Sequence, residues 1–201
     1  MLTVASPPQS PPRVSPPTAT HSPEPKPAAT GVLVGIATIS MTFAALTSAM
    51  VVRQSGAPDW RHFQLPSILY FNTLVLLLSS FTLESGRRRV IAAAGPAGLT
   101  GLYLTLTLGL LFVAGQVVAW RQLAAQGLFL ATSPSSAFFY VFTSLHGLHV
   151  LGGLAGLLYV LHRLRRTTGP APTTALGAAA LYWHFMDVLW LYLLTILTIR
   201  V

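Results

Sequence analysis

The chain contains no cysteine. That excludes disulfides, iron-sulfur clusters and the thiolate ligands of a binuclear copper electron-entry site. Charge is almost as scarce: charged residues are 8% of the 201 and only 4 residues are acidic, where a soluble domain carries about a quarter charged residues. No catalytic triad, phosphate loop, nucleotide-binding pattern or closed set of metal ligands can be assembled from what remains. What the chain has instead is apolar surface, with 53% hydrophobic residues and a mean hydropathy of +0.64. This composition is that of an integral membrane protein. Its net charge of +8 comes from 12 Lys and Arg against those 4 acids. In a membrane chain such an excess sits mainly in loops, where it sets orientation and attracts anionic headgroups. Nucleic-acid binding is a poor explanation of it.

Residues 1–30 hold nine of the 15 prolines, among Ser, Thr and Ala, with no periodic apolar pattern. They read as a disordered or polyproline-like cytoplasmic tail. A cleaved signal peptide does not fit, because no basic segment is followed at once by a short apolar run. Five later segments reach the roughly 20 apolar residues that a spanning helix needs: about 31–52, 67–83, 97–120, 137–161 and 176–199. The expected fold is an all-α bundle of five transmembrane helices, with residues 31–201 as its membrane domain. Pro58 and Pro66 punctuate the first loop, Gly86 to Pro96 the second, Pro134 the third and Gly169 to Pro172 the fourth. Eight basic residues (Arg13, Lys26, Arg87, Arg88, Arg89, Arg163, Arg165 and Arg166) fall on the side of the tail and even-numbered loops. Four (Arg53, Arg61, Arg121 and Arg200) fall on the other. The excess places the N-terminus inside and the C-terminus outside.

Ionisable groups deep in lipid cost several kcal/mol unless paired, so each has a job. His146 and His149 lie three apart on the fourth segment, which puts them on one helix face. A metal or haem is the sharp reading. A two-haem membrane cytochrome, however, needs axial histidines on two helices at two depths. His184, His162 at a membrane edge, His62 in a loop and His21 in the tail make no such ladder, so interhelical hydrogen bonding is the preferred reading. His184 and Asp187 repeat the three-residue spacing on the fifth segment. From 1.5 Å of rise per residue, His149 lies about 18 Å and Asp187 about 17 Å from the inner ends of their antiparallel helices. A His149–Asp187 hydrogen bond would satisfy both groups. A proton relay is the alternative, but so few groups at mid-depth make no path.

Glu84 precedes Arg87 and Arg88 at the spacing of an ion pair near the headgroups. Asn72 and Gln116 are single amides within helices, read as hydrogen-bonding glue. Gly152 and Gly156 form a small-xxx-small pair that permits close approach of a helix or a lipid tail. Trp60, Trp120, Trp183 and Tyr70 suit the interface or bundle packing equally.

Two blocks carry a resemblance. Phe138-Phe-Tyr-Val-Phe-Thr-Ser-Leu-His146-Gly-Leu-His149-Val and Tyr182-Trp-His184-Phe-Met-Asp187-Val-Leu-Trp190-Leu occur in this order on the last two segments. They resemble the last two helices of subunit III of the haem-copper oxidases, the cytochrome c and quinol oxidases. Upstream, Leu69-Tyr-Phe-Asn72-Thr to Ser80-Phe-Thr-Leu-Glu84 is similar to that family's "LNT…LLxSS" helix, and Leu110 to Leu123 with Gln116 resembles the next one. The likeness covers essentially residues 31–201.

The resemblance implies a short, five-helix form of a subunit that usually has seven, arranged as a V-shaped bundle whose cleft holds phospholipid. It implies no redox metal on this chain, with haem and copper in the partner subunits I and II. The implied role is to sustain proton uptake into the catalytic subunit and to slow its inactivation, within a bacterial plasma-membrane complex that reduces oxygen and pumps protons. One departure stands out: the family's carbodiimide-reactive Ser-Glu pair reads Ser40-Met41 here. A proton-antenna role resting on that carboxylate is in doubt, whereas structural support and lipid binding survive. Cytochrome c is the favoured donor of the complex. Quinol oxidase subunit III, an accessory subunit of a nitric oxide reductase and, more remotely, an independent b-type cytochrome or a transporter are the alternatives.

Overall fold

Five helices long and apolar enough to cross a membrane make up the chain in a computed structural model that describes residues 27–56, 58–92, 96–166 and 173–201. They are α1 (Pro27–Ser55), α2 (Ile68–Ile91), α3 (Pro96–Ala125), α4 (Pro134–Arg166) and α5 (Thr173–Arg200). The expected tail, up to the start of α1, lies outside the described residues. The five-helix membrane bundle is as the sequence predicts, but every helix is longer than its apolar run.

The reasons are local. At α4, Pro134 occupies the first helical position, where its missing N–H costs nothing. Ser133 caps it: the Ser136 N–H donates to Ser133 Oγ at 3.2 Å, and the Ser133 N–H donates back to Ser136 Oγ at 3.1 Å. At the other end of the third loop, α3 stops at Gly127, whose φ of +78° only glycine adopts cheaply. The N–H of Gly127 donates to Ala124 O and that of Leu128 to Leu123 O, each at 3.0 Å, which satisfies two terminal carbonyls. Residues 86–91, expected in a loop, continue α2. Likewise Arg163, Arg165 and Arg166 form the last turn of α4. Arginine is a good helix former whose long stem lets the charge leave the apolar layer, so a basic cluster need not end a helix.

Contacts run α2 to α3, α3 to α4, α4 to α5 and α5 back to α2, a closed ring of four. α1 lies outside the ring and touches only α4 and α5. Its inward stripe is Ile39, Phe43 and Met50, all buried, with Leu46 packed beside them. Val32 continues the stripe toward the N-terminal end, where a cavity of about 410 Å³ opens between α1 and the small-residue faces of α4 and α5. α1 thus makes a wedge with the ring, closed at one end. The first loop clasps the closed end: the Trp60 indole donates to Arg200 O at 3.0 Å, and the Phe63 N–H to Val201 O at 2.8 Å. The ring's core is aromatic and aliphatic, with Trp183, Trp190, Phe112, Phe139 and Phe142 fully covered.

Candidate functional site: a polar seam inside the bundle

Helix spacing turns one face of α5 toward α2, and that face carries Trp183, His184, Asp187 and Trp190. α2 answers with hydroxyls. The Trp183 indole donates to Ser79 Oγ and the Trp190 indole to Thr73 Oγ1, each at 3.0 Å. Between them, Ser80 Oγ and His184 Nδ1 share a hydrogen bond. Asp187 sits one turn along, its side chain 6% exposed and 3.9 Å from His184 Nδ1.

The expected His149–Asp187 bond is not formed. Neither carboxyl oxygen of Asp187 has a hydrogen-bond partner, and His149 Nδ1 is engaged by the Leu145 carbonyl of its own helix at 2.7 Å. Equal depth, the basis of that expectation, says nothing about azimuth. His149 faces α1, with its ring 6.0 Å from that of Phe43, whereas Asp187 faces the histidine on its own helix. His146 parts from His149 as well. It is wholly buried between the rings of Phe112 (5.9 Å) and Trp190 (5.1 Å), and both its nitrogens lack a partner. Three residues span 300° of helical turn, so the two imidazoles diverge by about 60° and reach different neighbours. Among the described residues, no three His, Cys, Asp or Glu side chains come together as a metal-binding group.

The amides fall on the α3 side. Asn72 is buried against Gly115 so closely that a Cβ there would meet its Oδ1 at 2.0 Å. Gln116 is 3% exposed, with neither amide atom bonded. Near the C-terminal end of α2, Arg87 grips both oxygens of Glu84 through Nε and Nη2 at 2.8 Å, and Arg88 Nε adds a third bond at 2.8 Å. Arg165 lies 6.0 Å from the centre of the Tyr103 ring. Met41 projects from the outer face of α1, 75% exposed.

The sequence reading passed over the groups that bond most. Thr73, Ser79, Ser80 and Thr143 look like ordinary helix hydroxyls, yet each takes a ring nitrogen from another helix; the Trp120 indole donates to Thr143 Oγ1 at 3.0 Å. A usable signal existed: hydroxyls at 73 and 80 recur seven apart on α2, as do tryptophans at 183 and 190 on α5. The close glycines were also elsewhere. Gly156 meets nothing within 4 Å and Gly152 only the Tyr182 hydroxyl at 4.0 Å. Both line the wedge cavity instead. Backbone approach occurs between α2 and α3, where a Cβ on Gly101 would lie 2.7 Å from the Gly86 Cα.

Among the described residues, the arrangement binds helices to one another through indole, imidazole and hydroxyl groups. Residues 31–199 match the family described as cytochrome c oxidase subunit III. Among relatives, the probable cytochrome c oxidase subunit 3 of Mycobacterium tuberculosis (strain ATCC 25618 / H37Rv) is 38% identical over 130 residues, covering 62% of each chain. The cytochrome c oxidase subunit 3 of Synechocystis sp. (strain ATCC 27184 / PCC 6803 / Kazusa) is 34% identical over 170 residues, 81% of this chain and 71% of the relative. That of Thermostichus vulcanus is 33% identical over 178 residues, 84% of this chain and 85% of the relative. The mycobacterial match therefore spans less than two thirds of that relative's length. On the family match over 31–199, and on five spanning helices that carry its polar blocks in order, the chain belongs to the cytochrome c oxidase subunit III family.

Proposed function

We propose that this chain is the non-catalytic subunit III of a respiratory haem-copper terminal oxidase that takes electrons from cytochrome c. The family match over residues 31–199 carries the reading. In it, subunits I and II are the partners and hold the haem and copper, and this chain braces them and their lipid in the bacterial plasma membrane. The N-terminus lies inside, which the basic clusters at the ends of α2 and α4 support. The donor geometry supports the absence of a redox group here, because His146 is enclosed by two aromatic rings and His149 is bound to its own helix. Bracing also fits the unsealed surface: α1 leaves Leu33, Val34, Met41 and Val52 more than half exposed, apolar area that only lipid or a partner subunit would cover.

With Met41 on that outer face, the chain supports the complex without a carboxylate antenna. Carbodiimide labelling should therefore be slow, since Glu84 is paired and Asp187 is enclosed. Met41→Glu should create fast labelling at residue 41. Pull-down through this chain in mild detergent should recover subunits I and II with haem and copper spectra; a purified chain free of both subunits, or one carrying its own stoichiometric haem, would refute the assignment.

A further inference from the structure

Apart from the wedge cavity, the α3–α4 seam holds a groove. It consists of two adjoining hollows, of about 300 Å³ and about 330 Å³, that share Val117 and Trp120. The inner one runs past Val113, Thr143, Gly147, Leu148 and Leu151; the outer one ends at Arg121 and Tyr140. The Trp120–Thr143 bond helps hold its two walls together. Most of its lining is apolar; beside the hydroxyls of Tyr140, Thr143 and Ser144 it carries one amide and one charge.

The first is Gln116, which lines the inner hollow although it is 3% exposed, and both of its amide atoms lack a protein partner. An unsatisfied buried amide is costly, so its position beside a hollow points to a hydrogen-bonding guest. The second is Arg121, exposed at the outer end, with no carboxylate partner among the described residues. Arg121 and Gln116 are five residues apart on α3, about 7.5 Å along the axis. They also lie about 140° apart around α3, but the hollows they line adjoin at Val117 and Trp120, so an anion at Arg121, an acceptor at Gln116 and an apolar track beyond describe one molecule. A glycerophospholipid has its phosphate and ester carbonyl separated on that scale, followed by acyl chain.

We infer that the α3–α4 groove is a binding site for a single anionic glycerophospholipid. Arg121 takes the phosphate, the Gln116 Nε2 donates to an ester carbonyl, and an acyl chain lies over Gly147 against Leu148 and Leu151. Gly147 suits the role because a Cβ there would meet nothing within 4 Å. The site deepens the proposed lipid-bracing function but rests only on the chain's being embedded in a membrane, not on which oxidase it joins.

The test uses the full chain, purified in mild detergent with whatever subunits accompany it and washed of loosely held lipid. Phosphatidylglycerol is then added back and retention counted by native mass spectrometry. One tightly held lipid is expected on the unaltered chain. Arg121→Gln should weaken it about fivefold, as removing one interfacial charge does, and Gln116→Leu by a similar factor, about fivefold, for one hydrogen bond. Gly147→Leu should abolish retention by filling the groove, whereas Gly35→Leu, on α1 and also facing open space, should not. Equal retention by all the variants would overturn the inference, as would a quinone in place of phospholipid on the unaltered chain. So would displacement of the lipid by inorganic phosphate, which would reduce the site to an anion contact at Arg121. Oxidase subunits in the eluate report separately on the proposed function, so either idea can fail while the other stands.

Discussion

A Cβ added to Gly101 would lie 2.7 Å from the Gly86 Cα across the α2–α3 contact, while one added to Gly31 or Gly35 on α1 meets nothing within 4 Å. Both regions are apolar enough to cross a membrane but are held by different forces. Lipid removes the hydrophobic drive between helices, so what binds them is close packing and interhelical hydrogen bonds. α2 and α3 have both, through the glycine contact and a Thr82–Thr105 hydroxyl bond of 2.8 Å. α1 has a side-chain stripe, a Tyr192–Thr47 bond of 2.9 Å and the Gln54–Arg200 tie near its closed end. The ring is thus held by backbone approach as well as side chains, and α1 is held to it by side chains alone.

The comparison breaks first at Gly101. Gly101→Leu drives a side chain into backbone and should cost about 3 kcal/mol or more, at the upper end of overpacking effects. Denaturant titration of the chain in micelles should show it, and an unchanged midpoint would mean that α2 and α3 are not in backbone contact. Next comes Trp183→Phe, which removes the indole donor to Ser79 and should cost about 1 kcal/mol. If Trp183→Phe is neutral, the hydroxyl links of α2 to α5 do not stabilise the ring.

Smaller and more diagnostic is a double-mutant cycle. Ser80→Ala and His184→Leu should couple by about 0.6 kcal/mol, the usual size of a bond between membrane helices. His149→Leu and Asp187→Leu should instead be additive, because those side chains do not meet. Coupling of the second pair with additivity of the first would restore the cross-helix pairing that depth alone suggests. The smallest effect is expected at Gly35→Leu, within about 0.5 kcal/mol of the unaltered chain. A large loss there would show that α1 packs as tightly as the ring.

Relative register was legible in the sequence because rise per residue is constant: His146 meets Trp190 and Gly153 meets Trp183, and these contacts bracket His149 and Asp187. Pairing was not, because a half-buried histidine has several acceptors within reach, including the carbonyl four residues back on its own helix. The Glu84 spacing could be read directly, since partners three and four residues away share a helix face whatever the rest of the fold does. The helix ends were misjudged wherever the apolar run stopped before the helix. Hydropathy measures burial in lipid, while α2 and α4 continue on backbone bonds and arginine's helix propensity.

Composition and apolar run length alone determined that this chain is a five-helix membrane bundle. With no water to satisfy the backbone in lipid, a run of that length has helix as its only open-chain solution. The order of the two histidine blocks pointed to the family. Tertiary structure alone decided which glycines carry backbone contacts, that hydroxyls on α2 take the indoles of α5, that Asp187 turns to His184 and that Gln116 is left beside a hollow. These depend on the rotation of each helix about its axis. In a segment that is apolar all round, no hydrophobic face encodes that angle, and it is set by the shapes and hydrogen bonds of the neighbours.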